Sequence, residues 1–333
     1  MNMKQWIYDL RDEQTKRALP ILSFPSVQLM NTTVRELISS ADMQAEGMKR
    51  IANRLNSAAS VSMMDLSVEA EAFGSSVTVT DHEIPAVTGH IIENEQQATD
   101  LIIPDLRAAR TGLYVEAIRK ACTLITDRPV LAGTIGPFSL AGRLLDVTEI
   151  MMLCYDEPDM VHTVLAKATE FLIQYALAYK EAGAGGVVVA EPLAGLLSPA
   201  LMKEFAAPYM KQLVDAVQDD EFIVVYHNCG GAVPRLVDSI VSCGAMAYHF
   251  GNAVDMKTML EKMPSDVVVM GNIDPVACLT EGTPEATYAA SKDLLERCSE
   301  HRNFVISTGC DVPPHAKWEN IDAFFRAVED FYQ

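Results

Sequence analysis

Residues 223–231 read IVVYHNCGG, and this stretch decides which fold the rest of the sequence has to fit. Its first four residues are apolar or aromatic and run without a break into His227, Asn228 and Cys229. A continuous apolar run is typical of a parallel strand that is covered on both faces. The stretch therefore predicts a buried strand that ends by presenting an imidazole and a thiol, followed by two glycines.

Seven further segments have the same character, and longer helical patterns separate them. Strand and helix alternating eight times is typical of a TIM (β/α)8 barrel, although an open doubly wound sheet has a similar alternation. We predict an α/β fold of the TIM-barrel class. Its eight strands are PILSF (20–24), SVSMMDL (60–66), PVLAGTIG (129–136), GVVVAE (186–191), FIVVYH (222–227), AMAYHF (245–250), VVVMGN (267–272) and FVISTG (304–309).

No low-complexity linker divides the chain, so we predict one barrel domain over residues 1–333. The stretch 74–128 is too long for one crossover and is predicted to be an insertion after the second strand. Within it, VTVTDHEIPAVTG (77–89) predicts a small hairpin and LYVEAIRKACTLIT (113–126) predicts a helix. Ser198, followed by Pro199, is the predicted N-cap of another helix.

The charge balance argues against two classes of partner. The formal net charge is −19 at pH 7, so phosphate backbones and anionic lipid headgroups would be repelled. We therefore expect neither nucleic acid nor a membrane as a partner. No apolar run approaches the roughly 20 residues of a membrane span, and the charged N-terminus lacks a signal-peptide core. These features predict a cytoplasmic protein whose scattered seven cysteines are mostly free thiols.

Polar residues cluster where the predicted strands end. In a TIM barrel the chemistry lies at the carboxyl ends of the strands, which meet at one face. His227 and Cys229 follow the fifth predicted strand and Cys310 follows the eighth. Two thiols and an imidazole favour zinc, and three protein ligands leave a fourth position open, as in catalytic zinc sites. The alternative is a packed core histidine beside small buried cysteines.

Several motifs together carry a family resemblance. They are MMDLSVEAEAFG (63–74), AGTIGPFSLAGRLL (132–145), AEPLAGLLSP (190–199), YHNCGG (226–231) and MGNIDP (270–275). Over nearly the whole chain they resemble the uroporphyrinogen decarboxylase superfamily, and within it the branch of the methylcobamide:coenzyme M methyltransferases. That branch carries a His-x-Cys…Cys zinc motif, which His227, Cys229 and Cys310 match. Decarboxylase members begin with arginines that grip substrate carboxylates, and LPILSFPSVQLM (19–30) contains none.

The resemblance implies a zinc ion that binds a thiol substrate and a corrinoid that carries the methyl group. The corrinoid would sit on a separate protein partner. Glu191 is a candidate fourth ligand or base, with a salt bridge or a helix N-terminal contact as the alternative. His249 is a candidate to hydrogen-bond a ligand or substrate, or is simply packed. Asp65 matches the aspartate that decarboxylases direct at pyrrole nitrogens; it would orient His227 or a substrate group, or cap the following turn.

Three further residues are candidates for the corrinoid side of the pocket. Asn272 and Asp274 follow the seventh predicted strand and would contact the cofactor or shape the loop. His315 lies just past Cys310 and would line the pocket mouth. Arg143 is a candidate to bind an acidic group of the substrate, with a solvated or capping arginine as the alternative.

We therefore expect a zinc-dependent methyltransferase that acts between a methylcobamide and a thiol such as coenzyme M. One alternative is a metal-free decarboxylase of the same fold. Another is a corrinoid-dependent demethylase acting on a methoxy or other methyl donor, and a third is a non-enzymatic barrel with a closed structural zinc site.

Overall fold

The computed structural model describes all residues, 1–333, and its centre is a curled sheet of seven parallel strands. The strand order is β1-β4-β5-β6-β7-β8-β9, and β2 and β3 form a separate antiparallel pair. The strands are β1 (Ser60–Val61), β2 (Ser76–Thr78), β3 (Ala86–Thr88), β4 (Val130–Ile135), β5 (Gly186–Ala190), β6 (Ile223–Asn228), β7 (Ala247–Phe250), β8 (Val268–Ile273) and β9 (Phe304–Thr308).

The gap between β9 and β1 is closed by the segment around residues 18–23. The Leu19 N–H donates to Ile306 of β9 at 3.0 Å, while the Ser23 hydroxyl donates to Val61 of β1 at 2.9 Å. The prediction of a regular strand at PILSF is wrong, because Pro20 has no N–H and side chains make several of the bonds. The segment nevertheless occupies the eighth position, and the TIM-barrel prediction is confirmed.

The second predicted strand is much shorter than its apolar run. SVSMMDL forms only the two residues of β1, because the Met64 N–H leaves the sheet and donates to the side chain of Asp311 at 2.8 Å. The predicted hairpin forms as β2 and β3, where Val77 pairs with Val87. The six other predicted strands match β4 to β9 within a few residues.

Helices surround the sheet and follow its strands. The α-helices are α1 (Met3–Asp12), α2 (Ser26–Met30), α3 (Val34–Ile38), α4 (Ala41–Arg54), α5 (Val68–Ala72), α6 (Glu95–Asp100), α7 (Thr111–Leu124), α8 (Pro137–Leu145), α9 (Glu149–Asp156), α10 (Pro158–Glu181), α11 (Pro199–Leu201), α12 (Ala207–Val217), α13 (Val237–Val241), α14 (Met256–Lys262), α15 (Pro284–Cys298) and α16 (Trp318–Tyr332). Short 3-10 turns lie at Leu193–Leu196 and Val233–Arg235, and a π-helical turn, Met202–Ala206, joins α11 to α12. The Ser198 side chain accepts from the Leu201 N–H, as an N-cap does. None of the helices combines the length and the apolar character that crossing a membrane requires.

Two apolar clusters explain why the strands are apolar on both faces. An inner cluster of 18 buried residues includes Val225 of β6, Ala247 of β7 and Val305 of β9. Residues of the opposite phase, such as Val224, join the outer cluster of 86 buried residues under the helices. Since side chains alternate along a strand, the residues two positions after Val225, Ala247 and Val305 also face inward. Those residues are His227, His249 and Ser307.

Candidate metal centre

Three potential metal ligands converge at the carboxyl ends of β6 and β9. The ligand atoms of His227, Cys229 and Cys310 all lie within 4.8 Å of one another. The Nε2 atom of His227 is 3.8 Å from the Sγ atom of Cys310. Tetrahedral zinc with ordinary Zn–N and Zn–S lengths places two such ligand atoms about 3.6 Å apart. The spacing and the chemistry of this donor set therefore fit a zinc ion.

The two thiols differ in their acidity. Hydrogen bonding from Cys310 lowers the pKa of Cys229 below its ordinary value despite its burial. The neighbouring Cys229 sulfur and burial both raise the pKa of Cys310. One thiolate thus forms easily and resists the formation of a second beside it. A divalent cation removes that resistance, because it stabilises both sulfurs as thiolates.

Glycines allow the two ligand-bearing loops to approach each other. A Cβ atom added at Gly251, just after β7, would lie 2.6 Å from both the Cα and the Cβ atoms of Cys229 and 3.1 Å from the Gly309 carbonyl oxygen. Only glycine permits that contact with Cys229 and with the residue before Cys310. The "GN" after AMAYHF is the sequence signal, but the spacing alone does not say which backbone it approaches.

A chain of side chains supports His227 from within the barrel. Its Nδ1 atom lies 2.8 Å from Nδ1 of His249, and Nε2 of His249 lies 2.8 Å from the hydroxyl oxygen of Ser307. All three residues are buried. Burial, and secondarily His227, lowers the pKa of His249 well below its ordinary value, so His249 is neutral at physiological pH. Sequence reasoning missed Ser307, although its inward phase with Val305 was a usable signal.

Glu191 lies at the end of β5 and points at the N-terminus of α8. Its carboxylate accepts from the backbone N–H groups of Phe138 at 2.9 Å and Ser139 at 3.0 Å, and from the Ser139 hydroxyl at 2.7 Å. Burial raises its pKa to about 7. These contacts are the helix N-terminal contact that the sequence left open as an alternative. Glu191 is not part of the group of converging ligand atoms, and its role as a ligand or base stays a prediction.

Asp65 follows β1 and belongs to a separate ionic network. It pairs with Arg110 and accepts from the Tyr114 hydroxyl at 2.6 Å and the Ser67 hydroxyl at 2.6 Å. Arg110 also reaches Glu71 at 2.6 Å. None of the hydrogen bonds of Asp65 goes to His227. The Arg110 and Tyr114 partners come from the insertion, and no local pattern links them to β1.

Two buried carboxyl groups near Asp65 were not singled out from the sequence. Glu69 accepts from the Thr134 hydroxyl at 2.6 Å with one oxygen, and its other oxygen has no partner. Burial raises the pKa of Glu69 to about 7. Asp311, directly after Cys310, accepts from the Met64 N–H with one oxygen and also has a second oxygen without a partner. Through Asp311 the metal-ligand loop of β9 is tied to the end of β1.

The three residues predicted for the corrinoid side are not among the converging ligands. The Asn272 amide donates to the carbonyls of Gly251 and Val254 at 3.0 and 2.8 Å. Asp274 accepts from two backbone N–H groups of the following turn and from Asn252. Both therefore shape the loops around β7 and β8. His315 is exposed and lines a cavity of about 510 Å³ beside the β2–β3 hairpin.

Comparisons with known proteins show which family this chain resembles. The model of the uroporphyrinogen decarboxylase (URO-D) family matches residues 21–331. A methylcobamide:CoM methyltransferase of Methanosarcina acetivorans is 30% identical over 276 residues, which are 80% of this chain and 78% of that protein. A uroporphyrinogen decarboxylase of Coxiella burnetii is 28% identical over 268 residues, 75% of this chain and 72% of that protein.

A solved structure has the same fold over its full length. It is a methyltransferase from Methanosarcina mazei, with a TM-score of 0.87 at 23% sequence identity and coverage of 100% of both chains. A B12-independent methionine synthase from Shewanella, 12% identical, covers 90% of this chain and 88% of that one with a TM-score of 0.64. At these identities the likeness shows a shared fold.

Proposed function

This chain belongs to the uroporphyrinogen decarboxylase family, and we propose that it is a zinc-dependent methyltransferase of that family. It moves a methyl group between a corrinoid, carried by a separate protein, and a thiol such as coenzyme M. The observation that carries the proposal is the convergence of His227, Cys229 and Cys310, whose ligand atoms lie within 4.8 Å of one another. The name of the Methanosarcina acetivorans relative supports the same reaction class.

The chemistry of the donor set suits methyl transfer to or from sulfur. A zinc ion held by these residues supplies a Lewis acid that keeps a thiol substrate deprotonated at neutral pH. Three protein donors would leave room at the ion for one further ligand, as in catalytic zinc sites. Cys229 and Cys310 would bring two negative charges to the ion, and this would favour its use in activating a sulfur nucleophile.

Neighbouring residues of the chain hold the candidate ligands in position. His227 is fixed by a buried hydrogen bond to His249, and Cys229 is held against Gly251. Asn228 donates to the Glu191 carbonyl at 2.7 Å, and its side-chain oxygen accepts from the Gly230 N–H at 2.9 Å. These contacts order the loop that carries Cys229, so that the ligand positions exist before the ion binds.

The first test is zinc stoichiometry. Elemental analysis of protein purified without chelators is expected to give about one zinc per chain for wild type and much less for Cys310→Ser. Cys278→Ser is the matched control, because Cys278 is also half-buried and follows β8 but is not part of the converging group. It should keep the wild-type zinc content.

The second test is transfer itself. The zinc-loaded protein is expected to demethylate methylcobalamin in the presence of a thiol, followed by the visible spectrum and by the S-methyl product. Cys310→Ser should lose this activity and Cys278→Ser should keep it. A wild-type protein that binds no zinc even after repletion would contradict the proposal, and decarboxylation of acidic substrates would then be the reaction to assay. Zinc binding without transfer to any thiol would direct the search to methoxy and other methyl donors.

A further inference from the structure

His249 crosses the barrel interior between the two strands that carry the metal donors. It starts from β7, reaches Nδ1 of His227 on β6 at 2.8 Å, and reaches the Ser307 hydroxyl on β9 at 2.8 Å. The two imidazole rings meet edge to face, with centroids 4.6 Å apart and planes 72° from parallel. His249 is buried and has no ligand atom in the converging group.

The hydrogen bonds among His227, His249 and Ser307 allow only two arrangements of the protons when both imidazoles are neutral. Of two nitrogens 2.8 Å apart, one carries the proton and the other accepts it. In one state His227 donates from Nδ1, so its Nε2 atom keeps a lone pair directed at the side of Cys310. In that state His249 carries its proton on Nε2 and donates to Ser307. In the other state His249 donates to His227, and the proton of His227 sits on Nε2, where it blocks a metal.

We propose that His249 is a positioning residue that holds His227 in the metal-binding tautomer, with Ser307 anchoring its far side. The proposal rests on the proposed function, since it concerns the same metal ligands. A metal-bound histidine usually donates its other N–H to a carboxylate, a carbonyl or water. Here the acceptor is a neutral imidazole, so the negative charge of the site resides on the two cysteines. His249 also joins the strands of both ligand loops, which keeps the donors in register.

The test compares three substitutions by zinc affinity, measured in competition with a chromogenic chelator. His249→Leu removes the acceptor and is expected to weaken zinc binding about 10–100-fold, the range for loss of an outer hydrogen-bond partner. His249→Asn is the rescue variant, because its side-chain oxygen can accept near the position of Nδ1. It should recover most of the affinity. Ser307→Ala should cause a smaller loss than His249→Leu.

A second readout follows the tautomer directly. Long-range 1H–15N spectra of histidine-labelled, metal-free wild-type protein should show His227 protonated on Nδ1. In His249→Leu the signal should move toward a mixture of tautomers, and in His249→Asn it should return. A purely structural effect of the substitution would lower the melting temperature without moving this signal.

The outcomes separate the inference from the proposed function. Unchanged zinc affinity in His249→Leu, or a His227 that carries its proton on Nε2 in the metal-free wild type, would overturn the positioning role while leaving the zinc site intact. A wild-type protein that binds no zinc would overturn both. If His249→Leu does not fold, the tautomer of His227 in the wild-type spectrum and the zinc affinity of Ser307→Ala still test the positioning role.

Discussion

The two sides of the barrel mouth use their polar residues in opposite ways. On the side of β6, β7 and β9, His227, Cys229 and Cys310 direct their donor atoms at one another. On the side of β1 and β5, Asp65 and Glu191 direct their oxygens at protein donors, a guanidinium in one case and a helix N-terminus in the other. The comparison shows that burial and charge alone do not mark a ligand site. A candidate ligand site is marked instead by donor atoms that converge on one another rather than on hydrogen-bond donors of the protein.

The largest effect is expected where a buried charge loses its partner. Arg110→Leu leaves Asp65, whose side chain is 0% exposed, without its cation. The free energy of unfolding should fall by about 3–5 kcal/mol, as for other broken buried pairs. Urea denaturation measures the loss. The control is Arg119→Leu on α7, the helix that begins just after Arg110; its pair with Glu116 is half exposed and should contribute less than about 0.5 kcal/mol. Equal effects of the two would show that the Asp65 side of the mouth is not an ionic anchor.

The second-largest effect is expected from loss of a candidate metal ligand on the opposite side of the barrel mouth. Cys229→Ser should weaken zinc binding more than about 100-fold, because losing a ligand exceeds the loss of an outer partner. Because the proposed zinc ion would stabilise the folded chain, a chelator should lower the melting temperature of wild type by a few degrees and leave that of Cys229→Ser unchanged. Calorimetry with and without chelator checks both. A chelator response retained in Cys229→Ser would place the metal elsewhere.

Glu69 makes stability depend on pH. Burial raises its pKa from 4.5 to about 7, so the folded state holds a proton that the unfolded state releases between those values. The free energy of unfolding should therefore fall as pH rises from 5 to 8, by roughly 2 kcal/mol from this group. Glu69→Gln should flatten that fall and be relatively more stable at pH 8. Glu191, with a pKa also raised to about 7, keeps part of the slope. Urea denaturation of wild type and of Glu69→Gln at pH 5 and at pH 8 measures this difference. An equal fall in the free energy of unfolding in the two proteins would contradict the role of Glu69.

The smallest effect concerns the loop after β8. Asp274→Ala removes the acceptor for the N–H groups of Val276 and Ala277, both at 2.9 Å, and should cost about 1 kcal/mol, as loss of a cap does. Zinc content should not change. The stability loss is read from urea denaturation. A stability equal to wild type together with a raised KM for methylcobalamin would instead favour the corrinoid-binding role predicted for Asp274.

The fold was predictable because its signal is local. Both faces of the strands are buried, so the runs of β4 to β9 are apolar without interruption and stand out in the sequence. The failure at residues 20–24 has a physical cause. A segment with a proline and with side-chain hydrogen bonds can fill a barrel position without the backbone ladder that defines a strand.

The candidate metal ligands were predicted from residue type, position after a strand and family resemblance. The partners of Asp65 and the far-side partner of His249 were not predicted. Arg110 and Tyr114 reach Asp65 from the insertion, and Ser307 reaches His249 from another strand. These pairs are separated by dozens of residues, and no spacing rule connects them.

The sequence by itself determined the alternation of buried strands and helices, the acidic net charge and the chemical types of the candidate metal donors. Those properties depend on each residue and its near neighbours. Only the tertiary structure decided that Cys310 meets His227 at 3.8 Å, that Glu191 faces a helix and that His249 joins β6 to β9. Distances of that kind arise when barrel closure brings remote strands together, because curvature and inward phase act on the whole sheet at once.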